Sequence, residues 1–208
     1  MSDAFNLFEA INTNRAIRRF RSDPVPDELL QRVLDAATRA PSGTNRQNWR
    51  FLVLRDPSVR AAIGALYGQG FREVYTPERI AQAPAGQQAR VLGSAAYLAE
   101  HMGDEAPVLI LACLENTPGS PPPSQSGGAS IYPSVQNLML AARALGLGTC
   151  LTTLHIRHEA EVKTLLGIPD HVDTYALIPL GWPAAPFGPL TRRPIEEVTF
   201  FDRWGRLK

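Results

Sequence analysis

The longest apolar run in the chain, Val108 to Leu114, is bounded by Pro107 before it and by Glu115-Asn116 after it. Such a run predicts a central strand, Pro107–Leu114, buried on both faces, so its sheet must be covered by layers on either side. It is far too short to cross a bilayer. Further strands are expected at Trp49–Leu54, Cys150–Leu154 and Thr174–Leu180, where β-rich residues sit between Gly, Pro and polar clusters. Helical spacing predicts a short helix carrying Phe5, Phe8 and Ile11. It also predicts helices over Asp27–Arg39, Pro57–Tyr67, Gln88–Met102, Ser130–Leu145 and His158–Leu166. The periodicity fades over Gly68–Gly86, which is expected to be irregular. Asn116–Gly128, with Pro121-Pro122-Pro123, is expected to be a long exposed loop. Two helices ahead of the first strand speak against a plain Rossmann fold.

At 208 residues one domain is expected, 1–208, with residues 183–208 as an extended tail. Apolar residues make up 44% and charged residues 20%, which excludes a disordered chain. The net charge is +1, from 21 basic and 20 acidic side chains, which weighs against nucleic acid as a partner. Cys113 and Cys150 are the only cysteines, too few for a disulfide framework. Met1 to Arg15 lacks the apolar core of a secretory signal, so a cytoplasmic protein without membrane contact is expected. After Trp182 the chain is proline-rich and non-periodic, yet apolar residues dot it as far as Trp204. Such a tail must lie on its own domain or on a partner chain.

Three motifs stand out. Arg15, Arg18, Arg19 and Arg21 crowd one connection, and Arg192-Arg193 lie near the other end. A charge run is ordinarily a solvated face. Converging guanidinium forks, however, hold a phosphate dianion well. Residues 40–49, Ala-Pro-Ser-Gly-Thr-Asn-Arg-Gln-Asn-Trp, suit a helix-to-strand turn. Ser42, Thr44, Asn45 and Gln47 could also read the edge of a planar heterocycle, with Gly43 allowing close backbone approach. The glycines of Gly146-Leu147-Gly148 precede a strand instead of joining strand to helix, so no dinucleotide fingerprint is present. His155 and His158 have no third metal ligand placed near them.

In combination these motifs resemble the nitroreductase-like flavoproteins. The stretches concerned are Asn14-Arg15-Ala16-Ile17-Arg18-Arg19-Phe20, Pro24-Val25-Pro26, and Ala40-Pro41-Ser42-Gly43 with Asn45, Gln47 and Trp49. They continue with Ser134 to Leu138, Leu145-Gly146-Leu147-Gly148, Ile178-Pro179-Leu180-Gly181 and Arg192-Arg193-Pro194. The resemblance implies an α+β sandwich around a mostly antiparallel sheet. It implies a homodimer with FMN at the subunit interface and the C-terminal extension wrapping the partner. Arg15, Arg18 and Arg192 would hold the FMN phosphate, with Arg193 beside them. Pro41, Ser42, Gly43, Asn45 and Gln47 would lie along the flavin. Thr152, Thr153 and Leu154 would form the segment whose backbone N–H faces flavin N5, the Leu154 N–H being the catalytic group. Asn14 and Ala16 stand where the family often has arginine and serine, so one cation and one hydroxyl are missing from the first motif.

The activity so implied is an NAD(P)H oxidoreductase, with nicotinamide as hydride donor and a small nitroaromatic, quinone or related molecule as electron acceptor. The flavin would carry the chemistry, and no acid–base triad is expected. Two alternatives share the fold: a flavin-binding module for storage or sensing, and a different flavin reaction such as reductive dehalogenation.

Overall fold

The computed structural model describes residues 6–117 and 125–207. Its elements in chain order are α1 (Leu7–Thr13), α2 (Asp27–Ala37), β1 (Trp49–Leu54), α3 (Pro57–Val74), α4 (Pro77–Ala81) and α5 (Gln87–Glu105). They continue with β2 (Val108–Glu115), α6 (Gln125–Ala144), β3 (Gly148–Thr149), α7 (Glu159–Leu166) and β4 (Val172–Gly181). Short 3₁₀ turns occur at Gly43–Asn45, Leu154–His158 and Ile195–Glu197. The fold is α+β.

The four strands form one sheet in the order β1-β2-β4-β3, with every neighbouring pair antiparallel. β2 is central and buried along its length, apart from Glu115. Its side chains alternate between two cores, as the pleat dictates. Val108, Ile110, Ala112 and Leu114 face a core completed by α2 and α6, through Leu30, Val33, Val135 and Leu138. Leu109, Leu111 and Cys113 face a second core built from α3 and α5, through Ile63, Tyr67, Leu98 and Met102. Burial in this second core pushes the Cys113 thiol up to about 12, so it is a neutral packing group.

Local signals set the element ends. Asp56 caps α3 by accepting from the N–H groups of Ser58 and Val59, and Pro57 fills the first helical position. Gly167 ends α7 in a left-handed conformation. Ser134, fully buried in α6, donates its hydroxyl to the Ala37 carbonyl at 2.8 Å, and so ties α6 to the end of α2.

Several expectations need correction. α3 continues to Val74 and α4 follows, so most of Gly68–Gly86 is helical. Gly64, Gly68 and Gly70 weaken helix propensity, but they let neighbouring backbone approach: a Cβ on Gly64 would sit 2.9 Å from the Gly103 nitrogen in α5. The last part of the expected 116–128 loop belongs to α6, which begins at Gln125, and residues 118–124 lie outside the described residues. The strand expected at Cys150–Leu154 is shorter and earlier, Gly148–Thr149. Beyond it only Thr152 bridges to Leu177, because the chain turns into a 3₁₀ helix at Leu154. Phe8 and Ile11 do lie on a helix, but they face outward, at 70% and 43% exposure; Phe5 is outside the described residues. Among the described residues no helix is long and apolar enough to cross a membrane.

Candidate functional site

The site begins at the connection between α1 and α2. The Ile17 N–H donates to the Thr149 carbonyl at 2.9 Å, and Ala16 bridges Thr149 in parallel, so residues 14–18 extend the sheet beside β3. Gly148 is required there: a Cβ would lie 2.7 Å from Ile17 Cγ2. The start of the C-terminal tail then runs back along this connection. The Arg21 N–H donates to the Trp182 carbonyl, Phe20 bridges Pro183, the Ala184 N–H donates to the Arg19 carbonyl, and the Leu190 N–H reaches the Asn12 carbonyl at 3.2 Å. This antiparallel return carries Arg192 to Arg15. A Cβ on Gly188 would stand 3.3 Å from Arg15 Nη1.

Two clefts open around the juxtaposed segments. The first, of about 750 Å³, is lined by Asn12, Asn14, Arg15 and Ala16, by Gln136 and Met139 of α6, by Thr149, Cys150 and Leu151, and by Pro189, Leu190 and Arg192. The second, of about 550 Å³, shares Asn14, Arg15, Ala16, Pro189, Leu190 and Arg192. It adds Arg18 and, from α5, Gln87, Arg90, Val91 and Ser94. Among the described residues no carboxylate lines either cleft. Several arginines elsewhere are paired with acids: Arg21 with Asp23, Arg39 with Asp35, Arg157 with Glu73. A concave surface of volume typical for ligand sites, lined by arginines and, among the described residues, free of acids, has the chemistry to accept an anion.

The structure therefore brings Arg15, Arg18 and Arg192 together. Arg193 lines neither cleft. The loop of Pro41, Ser42, Gly43, Asn45 and Gln47 also lines neither. It packs on the first half of α6, where the Gly43 N–H donates to Ser130 Oγ at 3.1 Å and the Trp49 indole N–H to the Ser130 carbonyl at 3.0 Å. Ser42 Oγ accepts from the Gln47 N–H, and Gln47 Nε2 donates to Asn45 Oδ1, each at 3.0 Å. Thr44, Asn45 and Gln47 all have positive φ, between 51° and 55°. From Ser130 to Met139, which lines the first cleft, is about 13 Å along the helix.

Thr152, Thr153 and Leu154 adjoin the first cleft at Cys150 and Leu151 without lining it. Thr152 is pinned: its hydroxyl donates to the Leu177 carbonyl at 2.6 Å, and its backbone exchanges two bonds with the same residue. Leu154 opens the 3₁₀ turn, where a first-turn N–H has no intrahelical acceptor. His155 follows, fully buried, with both ring nitrogens unpartnered and its titration held down to about 4 by burial. His158 turns elsewhere, to Glu73 at 3.0 Å. Cys150 lines the first cleft, but burial pushes its thiol up, so it is an uncharged S–H and not a thiolate. Sequence reasoning missed Gln136 and Met139 as lining residues. The available signal was a glutamine, followed one turn on by a methionine, on a helix otherwise apolar around most of its girth.

Two cores on either face of an antiparallel sheet, with an arginine-lined cleft beside the edge strand, define the α+β class of the chain. The chain belongs to the nitroreductase family, whose profile matches residues 11–182. It is 34% identical over 197 residues to an NADH dehydrogenase of Thermus thermophilus, covering 90% of this chain and 91% of that protein. It is 27% identical over 198 residues to iodotyrosine deiodinase 1 of Rattus norvegicus, covering 92% of this chain and 68% of that one. A crystal structure of oxidized iodotyrosine deiodinase bound to FMN and 3-iodo-L-tyrosine superposes with a TM-score of 0.73 at 25% identity, covering 97% of this chain and all of that chain.

Proposed function

We propose that the chain is an FMN-dependent oxidoreductase that passes hydride equivalents from NAD(P)H to a small nitroaromatic, quinone or related acceptor. The observation that carries this reading is the meeting of Arg15, Arg18 and Arg192 around one cleft, with Arg15 and Arg192 shared by the other, which reaches Cys150 and Leu151, neither cleft lined by a carboxylate among the described residues. The donor set fits FMN: planar guanidinium forks match a phosphate dianion, and the adjoining cleft has the volume of a cofactor pocket. When bound, FMN supplies the two-electron chemistry.

The chain's own residues then bind and orient. Arg15, Arg18 and Arg192 hold the phosphate end, with Arg193 left to the outer rim. The Leu154 N–H, in the first turn of its 3₁₀ helix, is assigned to the N5 edge. Thr152, locked to Leu177, keeps that donor fixed, as preorganised electrostatic stabilisation requires. Pro41, Ser42, Gly43, Asn45 and Gln47 reach the flavin from a second copy of the chain. Support for that homodimer comes from their separation from the arginine cleft along α6. Exposed apolar residues on α1 and the tail add to it: Leu7, Phe8, Ile195 and Trp204. The extension beyond Arg193 wraps the partner.

Purified protein is expected to be yellow, with its visible absorbance bleached anaerobically by one of the nicotinamides. Colourless protein that takes up no added FMN overturns the reading. The likeness to iodotyrosine deiodinase across the whole chain favours reductive dehalogenation as a second reading. Iodide release from 3-iodotyrosine with dithionite as reductant, without nicotinamide oxidation, would select it.

A further inference from the structure

Helix α5 meets the second of the two clefts along one face. Gln87, Arg90, Val91 and Ser94 recur at the spacing that stacks side chains on a single side of a helix, and all four line the second cleft. Further along the helix, Leu98, Ala99 and Met102 are spent on the core. Arg90 and Ser94 therefore present a guanidinium and a hydroxyl to the space that Arg15, Arg18 and Arg192 also line. No ion pair holds Arg90 to a carboxylate among the described residues, and none of the cleft's walls is acidic. Four like charges gathered around one cavity repel each other unless an anion sits among them. These are also the two functional groups that Asn14 and Ala16 fail to supply in the first motif.

We infer that Arg90 and Ser94 of α5 are additional ligands of the FMN phosphate and take over the cation and the hydroxyl missing from the 14–16 segment. The inference rests on the proposed FMN site and adds a second element to it. A charge-assisted bond from a partly solvated guanidinium corresponds to about tenfold in affinity.

The test compares FMN with riboflavin, which lacks the phosphate, by fluorescence titration of the flavin-depleted full-length chain. Arg90→Gln is expected to weaken FMN about tenfold and riboflavin less than twofold, with Ser94→Ala shifting the same ratio in the same direction by a smaller factor. Arg90→Lys is expected to recover part of the loss. The melting temperature of each flavin-free variant is expected to match the parent. Equal weakening of both flavins, or no weakening of either, overturns the role of α5. So does unchanged flavin affinity with a raised KM for the nicotinamide or the acceptor, which would place Arg90 in a substrate subsite. Arg15→Gln and Arg192→Gln are measured alongside. If they shift the FMN-to-riboflavin ratio and Arg90→Gln does not, only the α5 assignment fails. If none of the three shifts it, the phosphate site itself fails, and this inference with it.

Discussion

Gly70 and Leu154 touch through their backbones: the Leu154 carbonyl occupies the space where a Cβ on Gly70 would be. α3 thereby buttresses the turn whose N–H is assigned to the flavin. In an ordinary helix interior, Gly→Ala stabilises by about 0.8–1 kcal/mol. Here the sign reverses. Gly70→Ala is expected to cost roughly 1–3 kcal/mol, because backbone must shift to admit the methyl group. It is also expected to displace Leu154, so the melting temperature should fall and the visible spectrum of bound flavin should shift. A variant as stable as the parent would show that the contact is slack.

The tail divides into two parts. Residues 183–190 are held on their own chain by the hydrogen bonds to residues 12–21. Beyond them Ile195, Val198, Trp204 and Leu207 are exposed, Trp204 at 92%. Large aromatic anchors of this kind dominate interfaces. Deleting residues 195–208 is expected to convert a dimer into a monomer in light scattering at micromolar concentration, while the truncated chain keeps its helical circular dichroism. Trp204→Ala is expected to weaken the dimer by tenfold or more. A full-length chain that is monomeric under the same conditions would remove the partner from the proposed site.

The strands were legible where composition alone decides them. Val108–Leu114 reads as a strand buried on two faces and is one, and β1 and β4 lie within two residues of their expected bounds. The helical continuation through Gly68 to Val74 was hidden because its glycines serve neighbours distant in sequence, Ala99 and Leu154, and tertiary contact overrode propensity. The arginines were legible as a set of residue types, and their convergence was not: it depends on the antiparallel return of 183–190 along 12–21, a pairing without local periodicity. The 41–47 loop was legible as a motif, but its distance from the arginine cleft is a property of α6's length.

Thr44 has φ +51°, a left-handed conformation that a β-branched residue adopts only under strain. Its hydroxyl donates to the carbonyl of its own neighbour Gly43, so no distant contact compensates. Thr44→Gly removes a cost of about 1–2 kcal/mol and adds an unfolded-state entropy cost of about 0.4–1 kcal/mol. A net stabilisation of roughly 0.5–1 kcal/mol is expected in urea denaturation. A net loss would show that the loop's strain is relieved elsewhere.

His155 sets the acid limit of the fold. Burial depresses its titration from 6.5 to about 4, and the Glu159 carboxylate opposes that shift only in part. Above pH 6.5 the ring is neutral in both states, and its contribution to stability is fully present. As pH falls below 6.5, the unfolded chain takes up a proton that the native chain refuses, so stability drops until about pH 4, by roughly 3 kcal/mol from this residue. Replacing the ring by an apolar group of similar size removes the proton uptake. His155→Leu is therefore expected to flatten the pH dependence of the urea midpoint between 6.5 and 4 by that amount, leaving only the slope due to carboxylates such as Glu73, which Arg157 holds below its usual range. Identical slopes in the parent and the variant would mean that His155 accepts its proton inside the fold, through a partner at the ring nitrogens that burial has not excluded.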